Sequence, residues 1–292
     1  MEIKKVCVLG TGLMGGGIAQ VCSTAGFNVS IRDLEAKYID AGFDSIRKSL
    51  SRFVKAQKIK QEDVELILSR IKGTTDLKEA VGGCDIVIEC IPEDLELKRR
   101  VLRQVEDFSP KHTILASNTS AIMITDIASA TGRPENVIGM HWSNPAPLMK
   151  SIEVVKGALT SDGTCKSVME FSFKLGKEPF LVNDGPGFFT TRYINTYLAE
   201  AIRLFESGVA GIKEIDQLSR LMYGWPMGPM ELLDMVGLDT FVHTLSYLYA
   251  ETGELKFMPP LILKKLVKSG YIGNKPASKG GFYDYFKIEK GK

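Results

Sequence analysis

Short unbroken apolar runs and longer stretches of helical periodicity alternate along the first half of the chain. Val6-Cys7-Val8-Leu9 has the form of a strand buried on both faces, and residues 18–25 then repeat apolar side chains at helical spacing. Residues 28–31 read as a second strand, and residues 35–70 as helix with a break at Lys60-Gln61. A simple crossover helix is much shorter, so that segment predicts a helical hairpin projecting from a sheet. Strand signals return at residues 85–91, 113–117, 137–140 and 152–155.

The breaker cluster Asp184-Gly185-Pro186-Gly187 ends this pattern and marks a domain boundary. Beyond it the period is helical throughout. A long helix is expected over residues 187–207, with Phe189, Ile194, Leu198, Ile202 and Phe205 on its apolar face and Gly208 as its stop. Others are expected over residues 213–222, 229–235, 239–251 and 260–269. The fold class is therefore α/β. Residues 1–184 form a Rossmann-type, mostly parallel sheet with a helical-hairpin excursion at about 35–70, and residues 185–292 an all-α domain.

Composition changes this picture little. The chain has 292 residues, 44% apolar and 25% charged, with net charge +2, so the whole surface carries no bias towards nucleic acid or membrane. The five cysteines contain no CxxC pair and several lie in apolar patterns, as expected of reduced, packed thiols in a cytoplasmic protein. The opening residues run straight into a strand without room for a signal-peptide core, and no stretch is long and apolar enough to span a membrane. No metal is expected.

The candidate chemistry sits at the strand ends. Gly10, Gly12 and Gly15, in the run GTGLMG with Leu13 and Met14, follow a strand and open a helix. That is the context in which a G-x-G-x-x-G turn lets a pyrophosphate approach the backbone at a helix N-terminus. Asp33 ends the second strand 18 residues beyond Gly15, where an acid takes the adenosine ribose hydroxyls and repels a 2′-phosphate, which favours NAD over NADP. On the excursion, residues 45–61 carry six Lys and Arg and no acid, which suits either a solvated face or a clamp for a phosphate-bearing handle. Glu93 and Lys98 follow the 85–91 strand, and Ser117-Asn118-Thr119-Ser120 closes the 113–117 strand. These small hydrogen-bonding residues suit a nicotinamide ribose and a reacting oxygen, although a helix N-cap explains them equally well. His141 follows one apolar strand. Glu153 lies twelve residues further on among β-branched neighbours, and a buried acid needs a partner. The two are expected to meet.

GTGLMGGGIAQ, the Asp33 step, IPEDLELK, ASNTS, GMHWSNPAPLMKSIEVV, NDGPGFFTTR and YGWPMGPMELLDMVGLD, in this order over nearly the whole chain, resemble the L-3-hydroxyacyl-CoA and 3-hydroxybutyryl-CoA dehydrogenase family. The resemblance implies that His141 takes the proton of a substrate 3-hydroxyl as hydride passes to NAD⁺, with Glu153 orienting the imidazole. It further implies that Ser120 bonds the substrate oxygen, that Asn118, Asn144, Glu93 and Lys98 contact the cofactor, and that Ser49 meets the CoA handle. Lys55 and Lys58 are candidate phosphate partners, Lys279 a candidate cofactor contact, and the helical domain is expected to form a homodimer. Two departures stand out. Thr191 replaces an Asn of the family, so either a water bridges Thr191 to the substrate or Asn195, one turn on, substitutes. Trp142-Ser143 replaces two aromatics and suggests a reshaped acyl pocket. The alternatives are a related hydroxy-acid or atypical acyl-CoA ester dehydrogenase, or a non-catalytic NAD-binding protein.

Overall fold

The computed structural model describes residues 1–289. It divides into two compact units, one of Met1–Gly185 and one that begins at Pro186. The first is built on an eight-stranded sheet. Its strands are β1 (Lys5–Leu9), β2 (Asn28–Arg32), β3 (Ile71–Thr74), β4 (Ile86–Glu89), β5 (Ile114–Ser117), β6 (Val137–Trp142), β7 (Ser151–Lys156) and β8 (Glu178–Asn183), in spatial order β3-β2-β1-β4-β5-β6-β7-β8. Only the β6–β7 pair is antiparallel. The chain leaves β1 for β2 on one side and returns to place β4 on the other, so the crevice where ligands collect in such sheets opens at the carboxyl end of β1.

The expected strands all form, and the apolar runs of the central ones are fully buried, as their unbroken pattern requires. Two edge strands, β3 and β8, were not evident from the pattern. The 137–140 strand is longer than expected: it continues through Trp142, so His141 lies within β6 and not after it. The helices packed on this sheet are α1 (Leu13–Thr24), α2 (Ala36–Lys55), α3 (Asp63–Ser69), α4 (Leu77–Val81), α5 (Leu95–Phe108), α6 (Ile124–Ala128) and α7 (Asp162–Lys174). The excursion is an unequal hairpin, with a 20-residue α2 and a seven-residue α3. Ile39, Ile46 and Leu50 form the buried stripe of α2, which lays it against α1 and beside the glycine-rich turn.

The second unit comprises α8 (Thr190–Glu206), α9 (Ile212–Tyr223), α10 (Pro229–Val236), α11 (Leu238–Thr252), α12 (Leu261–Lys268) and the short α13 (Phe282–Tyr285), around a core that includes Leu198, Ile202, Met230, Leu245 and Phe282. Gly208, just past α8, has φ +74°, the left-handed geometry of a helix stop. Phe189 was expected on the inner face of α8 but is 62% exposed; the buried stripe runs instead from Thr191 and Asn195 through Leu198 to Ile202. The tail docks through α13, where buried Asp234 accepts the N–H groups of Phe282 and Tyr283. No described helix is long and apolar enough to cross a membrane.

Candidate active site

The glycine turn is shaped by close approach. Gly10 has φ +88°, and a Cβ there would sit 2.6 Å from the Cys90 carbonyl oxygen; one on Gly15 would sit 1.8 Å from the Gly10 oxygen. Gly12 is different, for a Cβ there would meet nothing within 4 Å, and as N-cap of α1 it provides no side-chain cap. The first N–H groups of α1 therefore face an open cradle, the fit a pyrophosphate needs. Leu13, 70% exposed, lies on its outer side and Met14 is half-buried. Asp33 stands at the end of β2 as expected. Its Oδ2 accepts the Thr11 backbone N–H and hydroxyl, both at 2.8 Å, and its Oδ1 the Leu34 N–H. Thr11, which the sequence reading passed over, thus aims the carboxylate, and its hydroxyl also reaches the Tyr38 carbonyl on α2.

Beyond β4 and β5 lies a buried charge network. Lys98 is 1% exposed, and its Nζ donates to Glu89 Oε1 at 2.9 Å and Oε2 at 3.0 Å and lies 3.3 Å from Glu93 Oε2. Burial alone would lower the pKa of Lys98, but the two carboxylates outweigh it and hold the ammonium above its ordinary range. Its charge is balanced by Glu89 and Glu93. Glu93 faces the loop after β5, where its Oε1 accepts the Thr119 hydroxyl and the N–H groups of Ser120 (3.0 Å) and Ala121 (3.3 Å). Ser120 itself is exposed. Asn118 ties two strand ends together, its N–H donating to the Glu89 carbonyl and its Oδ1 accepting the Trp142 N–H at 3.0 Å. Glu89, fully buried and also bonded to the Ser117 hydroxyl, was missed. It carried the same signal as Glu153, an acid inside an apolar run.

His141 and Glu153 do meet. They are directly opposed in the antiparallel β6–β7 ladder, so their side chains share a face, and His141 Nδ1 lies 2.9 Å from Glu153 Oε2. Glu153 is 5% exposed and the His141 side chain 15%. The carboxylate at Nδ1 fixes the orientation of the imidazole ring. Strand alternation sends Trp142 to the other face, into the main core at 3% exposure, so it cannot reshape a pocket on the His141 side. Asn144 follows in the exposed loop before Pro145.

On α2, Ser49 and the nearby Lys58 border a cavity of about 410 Å³. Lys48 and Arg52 also border it, while Lys55 does not. In the second unit, Thr191 and Asn195 are buried and Asn195 Nδ2 donates one of its two hydrogens to the Thr191 carbonyl at 2.7 Å. Lys279, also in that unit, donates to the Ser269 carbonyl at 3.0 Å.

A dinucleotide turn of this shape, feeding a sheet whose carboxyl edge offers a histidine braced by a buried acid, has the parts that hydride transfer to or from a carbinol carbon requires, and it defines an NAD-dependent dehydrogenase. Comparison with known proteins narrows the class. The family model described as "3-hydroxyacyl-CoA dehydrogenase, NAD binding domain" matches residues 5–185, and "3-hydroxyacyl-CoA dehydrogenase, C-terminal domain" matches residues 187–285. The chain is 42% identical over 285 residues to the probable 3-hydroxybutyryl-CoA dehydrogenase of Bacillus subtilis, covering 98% of each chain. It is 41% identical over 289 residues to the human mitochondrial hydroxyacyl-coenzyme A dehydrogenase, covering 97% of this chain and 91% of the other. The crystal structure of (S)-3-hydroxybutyryl-CoA dehydrogenase from Ralstonia eutropha superimposes with a TM-score of 0.90 at 37% identity, over 94% of this chain and 96% of that one. The chain belongs to the 3-hydroxyacyl-CoA dehydrogenase family, and it is an oxidoreductase that uses NAD.

Proposed function

We propose that the protein interconverts L-3-hydroxyacyl-CoA and 3-ketoacyl-CoA, with His141 and Glu153 as its acid/base pair. The observation that carries this is the 2.9 Å contact between Nδ1 and the buried carboxylate. In oxidation, Nε2 accepts the proton of the 3-hydroxyl and the imidazolium that forms is stabilised by Glu153; in reduction the same proton returns to the oxygen. Bound NAD⁺ supplies the hydride acceptor. Gly10, Gly12, Leu13, Met14 and Gly15 would hold its pyrophosphate and Asp33 its adenosine ribose, while Glu93, Asn118 and Asn144 would lie along its nicotinamide half. Lys98 acts through Glu93. The Ser120 hydroxyl would bond the substrate oxygen opposite His141, and Ser49 with Lys58 would meet the CoA handle.

We further propose a homodimer in the cytoplasm. Leu218, Leu221, Met222 and Tyr223 at the end of α9 are 52%, 83%, 70% and 72% exposed, more apolar surface than a lone helix ordinarily leaves in water. The five cysteines are free thiols, in keeping with a reducing compartment. The test of the activity is NADH oxidation with acetoacetyl-CoA, bulkier ketoacyl-CoA esters and free acetoacetate. The reading requires turnover of a CoA ester and little of the free acid. Tight NADH binding without turnover of any ester would refute it.

A further inference from the structure

Lys177, between α7 and β8, is only 8% exposed. A buried ammonium ordinarily faces a carboxylate. Among the described residues Lys177 has none: its Nζ donates to the carbonyls of Ala146 and Met149, both at 2.7 Å, and lies 5.9 Å from the Trp142 ring centre. An ammonium carries three donors, enough to hold both carbonyls and still face the indole. Burial lowers its pKa from the ordinary lysine value, so the charge is kept there against its own desolvation. The two carbonyls belong to one tight turn, in which the N–H groups of Leu148 and Met149 both bond to the Pro145 carbonyl, at 2.9 and 3.0 Å. The same turn rests on α1 with almost no space between them. A Cβ on Gly17 would sit 3.2 Å from Pro147 Cδ and 3.3 Å from Ala146 Cβ. Residues 145–148 of this turn wall the cavity that Ser49 and Lys58 border.

We infer that Lys177 is a positioning residue for acyl-CoA binding: its ammonium clips the 145–149 turn against α1 and so fixes one wall of the cavity. This rests on the acyl-CoA reading above. Among the described residues no other donor bonds the Ala146 and Met149 carbonyls. With an apolar side chain at position 177 both would lose their partner. The Met149 carbonyl can turn to water, but that of buried Ala146 can reach it only if the turn moves off α1. Lys177 touches neither His141 nor Glu153, so its loss should fall on substrate binding and not on the proton transfer itself.

The assay is NADH oxidation with acetoacetyl-CoA on the full-length protein. Lys177→Met should raise the KM for acetoacetyl-CoA at least fivefold, with kcat within threefold and the NADH dissociation constant within twofold of native. Gly17→Ala presses on the same turn from α1 and brings a residue of higher helix propensity, so it serves even if Lys177→Met does not fold. It should raise the same KM at least threefold, and by less than twofold once Lys177→Met has released the turn, because the two changes act on one element. A lysine with a merely structural role would lower the urea midpoint and leave the KM of the folded enzyme unchanged. That result, a loss confined to kcat, or a native KM in Gly17→Ala would overturn the inference and leave the proposed function standing. If the native enzyme turned over no CoA ester, the proposed function would fail and this inference with it.

Discussion

Replacing Glu153 with Gln keeps the shape of the side chain and removes its charge, which isolates the carboxylate's part in catalysis. The contact to His141 Nδ1 is 2.9 Å, and neither side chain is more than 15% exposed, so water screens the pair poorly. A hydrogen bond to a charged group in such a setting contributes about 1.5–3 kcal/mol, and this applies to the imidazolium present in the transition state more than to the resting imidazole. At about 1.4 kcal/mol per tenfold, kcat should fall roughly 10- to 150-fold. The amide can also present its NH₂ to Nδ1 and so select the wrong tautomer, which pushes the loss towards the upper end. The assay is NADH oxidation at saturating acetoacetyl-CoA, paired with NADH affinity by fluorescence. Affinity should hold, because the substitution lies on β7 and not at the glycine turn. A kcat within twofold of the native value would refute the reasoning and leave the pair as a structural contact between strands.

Three other outcomes follow from the geometry. Lys98→Met leaves the fully buried Glu89 without its counter-ion and should cost about 3–5 kcal/mol of stability by urea denaturation, with partial recovery when Glu89→Gln is added. A melt unchanged by Lys98→Met would show that the network carries no such strain. Asp85 has a pKa below its ordinary value: burial, which would raise it, is outweighed by the N–H groups of Lys5 and Lys4 and by His112. Its folded pKa is depressed, so its contribution is present above the unfolded value near 4 and is lost as pH falls through the folded one. Asp85→Asn should therefore flatten the acid side of a plot of urea midpoint against pH, and an unchanged slope would argue against the assignment. Leu221→Asp with Tyr223→Asp places two charges on the exposed end of α9 and should halve the mass measured by light scattering, whereas an unaltered mass would move the dimer interface elsewhere.

The residues legible in the sequence were those whose burial contradicts their chemistry. Glu153 stood out because an acid in a run of β-branched residues demands a partner, and Asp33 because it ended a strand at the right distance from the glycines. Glu89 carried the first of these signals, with Lys98 nine residues on, but its partner was assigned to the cofactor and the network went unread. The edge strands gave no pattern to read. β3 buries only Ile71 fully, and β8 begins Glu178-Pro179, with a residue that cannot donate to the ladder. Register to β2 and β7, not composition, holds them in the sheet. Among the cations of α2, sequence could not show that Lys48 and Arg52 border a cavity, because that cavity is closed by a loop about 90 positions further along the chain. Trp142 misled for a simpler reason: it is adjacent to His141, and on a strand adjacency means the opposite face.

The central claim is that His141 moves the proton. The most direct test is His141→Ala, assayed for NADH-dependent reduction of acetoacetyl-CoA with the NADH dissociation constant measured on the same preparation. General acid–base catalysis of this kind contributes about 10²–10⁴-fold, so kcat should fall by at least a hundredfold while NADH binding stays within twofold. Turnover near the native rate, or a loss that tracks weakened NADH binding, would contradict the account and assign His141 a structural role.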